Sequence, residues 1–396
     1  MTNKISDRMK NMNPSAVREI FKVLGDPSVI SFAGGNPNEV TFPVRELEAI
    51  SAKLYAENPA AFLQYGITEG YAPLRQATLE RMRRKYNIGG SNDDIMIVTG
   101  GQEAIDLALK TFTNEGDTVI CENPSFVGAL NDIRSYRQKL VGIPVDNDGM
   151  DINALEEALR TEKNVKLIYT IPTYQNPTGT TMSLERRRQI YELAVKYDVL
   201  ILEDSPYFEL RYDGEQLPSI KSFDTTGHVL FCGSYSKVVS PGLRVGFIIL
   251  DKELMGKLTV AKQCVDVHTP VYPQMLIERY IREYDFDAHI AENCRLYRAQ
   301  RDRMIAGLEK NLDERVTFTR PGGGLFIWCS LPDGYSGSEL CALASAQKVA
   351  CVPGSAFDPS EWSGNPGFRL NFSMPTPEQI DTGCEILGKC LKEYLK

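Results

Sequence analysis

A chain of 396 residues with 42% hydrophobic side chains holds enough apolar material for two or three packed units of about 150 residues each. Its formal net charge of −8 argues against a nucleic-acid surface, and no apolar run reaches the ~18 residues of a membrane-spanning helix. The first residues, Met1 to Ser6, lack a signal-peptide core and the nine cysteines form no Cys-x-x-Cys pairs, so a reduced, cytoplasmic protein is expected.

In chain order, Asn13 to Leu24 is expected to form a short amphipathic helix. Asn13 caps it, Pro14 suits its first turn and Gly25 ends it. Val17, Ile20, Phe21 and Leu24 share a face that leaves Arg18 elsewhere; a solvated arginine is the plain reading of Arg18. Gly34-Gly35-Asn36-Pro37 marks a tight turn with exposed amides. A helix from Val44 to Glu57, a glycine-punctuated loop carrying Tyr65 and a basic helix from Tyr71 to Tyr86 follow.

From there apolar runs alternate with helical periods. The runs are Ile95–Val98, Thr118–Cys121, Leu140–Pro144, Val165–Ile171, Val199–Leu202, Val229–Cys232 and Val245–Leu250. Helices are expected from about Gly101, after Phe126, and over Ile152–Arg160 and Leu184–Lys196. This rhythm predicts an α/β fold, a mainly parallel seven-stranded sheet covered by helices, with ligands at the carboxyl ends of its strands. Gly101, Asn176 and Asp204 fall at that edge. Past Leu250, helices Leu254–Val267, Pro273–Ile281 and Phe286–Leu312 lead into a smaller α+β unit. It contains strands at Val316–Thr319, after Gly322-Gly323-Gly324, at Val349–Val352 and at Phe368–Phe372, with helices at Ser338–Lys348 and at the end of the chain.

The chemistry centres on Ser234 to Phe247, a loop between two apolar runs. Lys237 follows hydroxyls at Ser234 and Ser236, and Arg244 stands beyond Pro241-Gly242. A lysine in a dry pocket has a lowered pKa and attacks carbonyls, and hydroxyls with an arginine suit a phosphate. Together they point to pyridoxal 5′-phosphate; a surface lysine on a Ser/Pro/Gly loop is the plain alternative. Strand, Thr99-Gly100-Gly101-Gln102 and helix start form a second anion site, with neither a P-loop ending nor a dinucleotide fingerprint. Asp204 ends a buried run and needs a partner. A pyridinium nitrogen fits, because the carboxylate keeps it protonated; a capping aspartate before Ser205-Pro206 is the alternative. Asn176 and Tyr207 suit a phenolate oxygen and Phe126 a ring face, against an ordinary Asn-Pro turn and a core phenylalanine. Three histidines, far apart, leave no histidine metal site, and no metal is expected.

Asn176-Pro-Thr-Gly, Asp204-Ser-Pro-Tyr207, Ser234-Tyr-Ser-Lys237 with Arg244, and Phe368-Arg369-Leu-Asn-Phe occur in that order. The set resembles the fold-type I pyridoxal-phosphate aminotransferases of class I/II, from Ile30 to the last helix. Ser31-Phe-Ala-Gly-Gly, Leu63-Gln-Tyr and Ser-Lys-x-x-x-Pro-Gly-Leu-Arg look most like the 2-aminoadipate/kynurenine aminotransferase branch. The resemblance implies an aspartate-aminotransferase-like fold, with an N-terminal arm and mobile helix (residues 1–42), a large cofactor domain (43–295) and a small domain (296–396). It implies that Lys237 anchors the cofactor covalently and shuttles the proton. Asp204 pairs with the ring nitrogen, Asn176 and Tyr207 hold the phenolate oxygen, and Phe126 stacks on the ring. Gly101, Gln102, Ser234, Ser236 and Arg244 hold the phosphate, and Tyr65 reaches the phosphate of the other subunit of a homodimer. Arg369 grips the substrate α-carboxylate, with Asn176 and Gly35 beside it. Arg18, on a helix that closes over the site, meets a distal carboxylate. Many relatives have serine where Gly101 stands. Amino acids and 2-oxo acids, with 2-oxoglutarate as acceptor, are the implied substrates of a ping-pong reaction.

Three rivals are weighed against this. Ser234-Tyr-Ser-Lys237 matches the Ser-x-x-Lys of penicillin-recognising hydrolases, but Tyr174-Gln-Asn176 precedes it and no Lys-Thr-Gly follows. A regulator using this fold as a sensor needs a basic DNA-binding head of ~60 or more residues, and about thirty residues precede Ile30. Lyases and decarboxylases share the cofactor and scaffold, and that rival stays open.

Overall fold

The computed structural model describes residues 4–10, 12, 26 and 28–396; the expected helix Asn13–Leu24, with Arg18, lies outside the described residues. The strands are β1 (Ile30–Ser31), β2 (Asp93–Val98), β3 (Thr118–Asn123), β4 (Lys139–Asp146), β5 (Gly149–Met150), β6 (Val165–Thr170), β7 (Leu200–Asp204) and β8 (Val229–Ser234). They continue with β9 (Gly246–Asp251), β10 (Thr317–Phe318), β11 (Phe326–Ser330), β12 (Val349–Ala350), β13 (Val352–Pro353) and β14 (Gly367–Asn371).

The large sheet has the order β2-β9-β8-β7-β6-β3-β4-β5. Seven of these are the predicted strands; the eighth, β5, is a two-residue hairpin partner of β4. Pairings from β4 through β3, β6 and β7 to β8 are parallel, while β9 runs antiparallel to both β8 and β2. The reversal has a simple cause. Residues 235–245 between β8 and β9 contain no crossover helix, which a parallel return requires.

Strand residues alternate between two cores. Val119, Tyr169, Leu202 and Ile248 pack with Ile105, Leu109 and Leu258 from helices Gly101–Phe112 and Lys252–Gln263. Ile120, Ile168 and Ile201 face the other way, onto Leu155, Leu159, Ile190 and Leu193 of helices Ile152–Thr161 and Leu184–Tyr197. Both faces are therefore covered, as parallel sheets require. A second sheet, β10-β11-β14-β13, is antiparallel. Helix Pro377–Tyr394 packs against helix Phe286–Asn311 beside it and starts in a capping box between Thr376 and Gln379.

Two expected elements change. The single strand over Val349–Val352 is split at Cys351: β12 pairs with β1, and β13 pairs with β14. The helix expected to Val267 stops at Gln263. Cys264 and Asp266 then turn their amides onto the last carbonyls, and Val267 has φ of 67°. Among the described residues no helix is long and apolar enough to cross a membrane.

Candidate active site

The carboxyl ends of β2, β6, β7 and β8 open into one cavity of about 350 Å³. Its lining includes Gly35, Gly101, Gln102, Phe126, Asn176, Asp204, Tyr207, Ser234, Ser236, Lys237, Arg244 and Arg369. Residues scattered over more than three hundred positions of sequence thus meet because each follows a strand of the same sheet or, for Gly35 and Arg369, of the small unit.

The phosphate-like end is built from the start of helix Gly101–Phe112, whose first amides have no intrahelical partner. Gly100 precedes it with φ of 81°, and a Cβ there would overlap the Arg244 guanidinium. That guanidinium donates to the Thr99 carbonyl at 3.1 Å. Arg244 itself has φ of 53°, which turns its side chain back over Gly100. Ser234 Oγ accepts from the Ser236 amide at 3.1 Å. The Gln102 side chain is engaged elsewhere, with the Gly128 carbonyl and with Asp132.

At the other end, Asp204 is buried and accepts from the Tyr169 hydroxyl at 2.8 Å. Desolvation pushes its carboxyl up to about 6. Among the described residues it has no ion-pair partner within 4 Å, which leaves room for a cationic one. Lys237 Nζ donates to the Gly35 carbonyl at 2.8 Å and likewise forms no ion pair among the described residues. Burial first, then the charges of Arg369 and Arg244, pull its amine down to about 8. Burial pushes the Tyr207 hydroxyl up, which keeps it a donor.

Arg369 lies between the Phe326 and Phe357 rings, 4.1 and 4.9 Å from their centroids. It donates to Asn176 Oδ1 at 2.8 Å and to the Ala33 carbonyl at 2.7 Å. Its Nε is buried without a partner, and burial lowers the group to about 10. A buried guanidinium with a free N–H and no carboxylate is a receptor for one.

Tyr65 does not line this cavity: it is 83% exposed, edge-on to His268 at 5.9 Å. Arg18 lies outside the described residues. Sequence reasoning passed over Tyr169, the donor to Asp204, and Phe326, the platform for Arg369. It also passed over Glu122, buried and raised to about 7 by desolvation. Glu122 accepts from Thr170, the Ile171 amide and Gln175, and so braces the loop that carries Asn176. Tyr169 sits inside a run that reads as core and Glu122 directly follows one; a polar group in or beside an apolar strand was the only signal.

An acid short of a cation, an amine short of an anion, an open carboxylate receptor and an anion cup fit an aromatic carbonyl phosphate. The family model described as aminotransferase class I and II matches residues 28–387. The chain is 40% identical to the aromatic-amino-acid aminotransferase 1 of Thermococcus litoralis, over 99% of this chain and 94% of that protein. It is 36% identical to the 2-aminoadipate transaminase of Thermus thermophilus, over 96% and 94%. The solved kynurenine aminotransferase of Pyrococcus horikoshii, in complex with PMP, superposes with a TM-score of 0.96 at 38% identity, covering 100% of this chain and 98% of that one. The chain belongs to the class I and II aminotransferases, and is a transaminase that works with pyridoxal phosphate.

Proposed function

We propose that the protein moves the α-amino group of glutamate-like, 2-aminoadipate-like or aromatic amino acids to 2-oxoglutarate, in two half-reactions. Bound pyridoxal phosphate supplies a carbonyl to take up the amino group and a ring to hold the electron pair freed at the α-carbon. Asp204 holds the ring nitrogen in its charged form. Asn176 and Tyr207 donate to the ring oxygen, and Phe126 covers one face. The amides of Gly101 and Gln102, the hydroxyls of Ser234 and Ser236, and Arg244 bind the phosphate. Lys237 would be the covalent anchor and, once free, would take the proton from the substrate α-carbon and carry it across the same face of the site. Arg369 grips the α-carboxylate, beside Gly35 and Asn176.

The observation that carries this reading is Arg369: a buried, unpaired guanidinium opening into the cavity that holds the low-pKa Lys237. The test is the half-reaction. Glutamate alone bleaches the yellow protein and 2-oxoglutarate restores it. Release of ammonia or carbon dioxide instead of an oxo acid shows lyase or decarboxylase chemistry; no response to any amino acid shows a sensor.

The working unit is proposed as a homodimer. Leu63, at the end of helix Ala60–Leu63, and Tyr65 and Ile67, on the loop after it, are 72, 83 and 56% exposed and together offer apolar surface to a second copy. A fully active monomer at micromolar concentration overturns that. Donor choice rests on the cover of the cavity. Its described lining holds three cations, Lys237, Arg244 and Arg369, all assigned above. Arg18 is proposed as the partner of a distal carboxylate, so Arg18→Ala loses dicarboxylic donors about ten- to hundredfold, as one charged hydrogen bond implies, and keeps aromatic ones. An unchanged donor profile refutes the role.

A further inference from the structure

Behind the anion cup lies a largely buried cluster that none of the assigned roles uses. Lys262, with no exposed surface, donates to Glu103 at 2.8 Å, to both oxygens of Asp266 at 3.0 Å and to Thr269 Oγ1 at 3.1 Å. The carboxylate oxygens that take Lys262 also hold a single residue of the cup. Glu103 Oε2 accepts the Thr99 amide at 2.5 Å, and Asp266 Oδ2 accepts the Thr99 hydroxyl at 2.8 Å. Thr99 in turn offers its carbonyl to Arg244 at 3.1 Å and precedes the Gly100 that the guanidinium folds over.

The cup is therefore held by two acids, which is the wrong charge to place beside a phosphate. Lys262 resolves this, since one ammonium touches both. We propose that Lys262 is a positioning residue for the cofactor phosphate: it offsets part of the negative charge of the Glu103 and Asp266 carboxylates that clamp Thr99, and through Thr99 it fixes Arg244 and the free amides of the helix start. The inference rests on the phosphate site proposed above. It adds a reach outward as well. Thr269, bound to Lys262 and to Thr99 Oγ1, passes its carbonyl to His268 Nδ1 at 2.9 Å. His268 Nε2 then accepts the Gly66 amide at 3.2 Å, next to Tyr65. The neutral tautomer with hydrogen on Nδ1 satisfies both bonds, so the cup and the Tyr65 loop share one frame.

The test separates phosphate positioning from plain stability. Cofactor loss from the holoenzyme is timed by its visible absorbance during dialysis against inorganic phosphate, and again for protein loaded with pyridoxal, which has no phosphate group. Lys262→Met is expected to release pyridoxal phosphate about tenfold faster or more, and Thr99→Val about two- to tenfold faster, as one lost hydrogen bond implies. Both variants should release pyridoxal at the wild-type rate. Should Lys262→Met fail to fold with Glu103 unpaired, Lys262→Met with Glu103→Gln removes the stranded charge, and a smaller but still phosphate-selective loss is expected because Asp266 alone is then uncompensated. Equal acceleration for both cofactors, or none for either, overturns the proposal while leaving the site intact. Wild-type protein that holds pyridoxal as long as pyridoxal phosphate overturns the phosphate site itself, and the proposal with it.

Discussion

Lys237 and Lys262 are both lysines set close to the large sheet, and their surroundings are opposite. Lys262 touches two carboxylates at 2.8 and 3.0 Å, and Lys221 resembles it, with Asp93 at 2.7 Å and Asp224 at 2.8 Å. Lys237 has a lone backbone carbonyl. Removing an ammonium from water is costly, and a carboxylate at contact offsets much of that cost. Where the offset is absent the amine gives up its proton instead, which is how Lys237 comes to about 8. The arginines divide in the same way. Arg81 is buried against Glu209 at 2.6 Å, whereas Arg369 is buried with no carboxylate at all. Paired buried charges hold the scaffold here; Lys237 and Arg369, unpaired and lining the cavity, mark where a ligand would supply the missing partner.

The largest effect expected from this contrast is at the two lysines. Lys237→Ala should lose at least the ~10²–10⁴ in turnover that general acid–base catalysis supplies, with no fall in melting temperature. Lys262→Met should instead lose about 3–5 kcal/mol of stability, because Glu103 is left buried and alone. Kinetics and thermal unfolding of both variants decide it, and equal melting temperatures would dissolve the contrast.

Next come the arginines. Arg369→Gln should lower kcat/KM about a hundredfold, the worth of one or two charged hydrogen bonds to the substrate. Arg187 is as deeply buried, but it spends its donors on the carbonyls of Met182, Pro218 and Pro172 and on Thr173 Oγ1. Arg187→Gln should therefore destabilise the fold and leave kcat/KM of the folded fraction within a few-fold. A matching loss of kcat/KM in both variants would show that burial alone, not the missing partner, sets the effect.

Much of this was legible beforehand, and the exceptions share a cause. The α/β rhythm exposed seven strands because apolar runs and helical periods are local signals. Asn176, Asp204 and Lys237 were legible because each lies within a few residues of the end of such a run, where a polar side chain is conspicuous. The antiparallel course of β9 is a property of a pairing, invisible in its own residues. So are the split at Cys351, which serves two sheets, and the cluster of Glu103, Lys262 and Asp266, whose members look like ordinary surface charges until helices Gly101–Phe112 and Lys252–Gln263 are packed together. Tyr169 was hidden by the opposite effect, as one more apolar ring in a core strand.

The unpaired groups also set a pH dependence. The Lys237 value lies below its ordinary 10.5, so its contribution to stability is present at high pH and is lost as pH falls through about 8. The Asp204 value lies above its ordinary 3.8, so its contribution is present at low pH and is lost as pH rises through about 6. In cofactor-free protein, Asp204→Asn should thus flatten the fall in stability between pH 4 and 7. Uptake of pyridoxal phosphate should climb about tenfold per pH unit below 8 and level off above it, following the neutral amine. Glu122 and Asp132, each raised to about 7, titrate in the same direction as Asp204, which is why the comparison is made against the Asn variant. Wild type and Asp204→Asn with parallel stability profiles would mean that Asp204 is already paired.

The smallest expected effect concerns the anion cup, where the resemblance to relatives with serine left a gap at Gly101. A Cβ added there meets Cys232 Sγ at 3.5 Å and Asp204 Oδ1 at 3.9 Å, both ordinary contact distances. Unlike Gly100, then, this glycine is not required by space or by its backbone angles. Serine at the first helical position would restrict the unfolded chain and add a hydroxyl to the cup. Gly101→Ser should slow pyridoxal phosphate loss about two- to tenfold, the scale of one hydrogen bond, and leave pyridoxal loss unchanged. Faster loss of both would show the new side chain pressing on Cys232 and through it on Asp204, and the cup would then be tuned by packing rather than by the number of its donors.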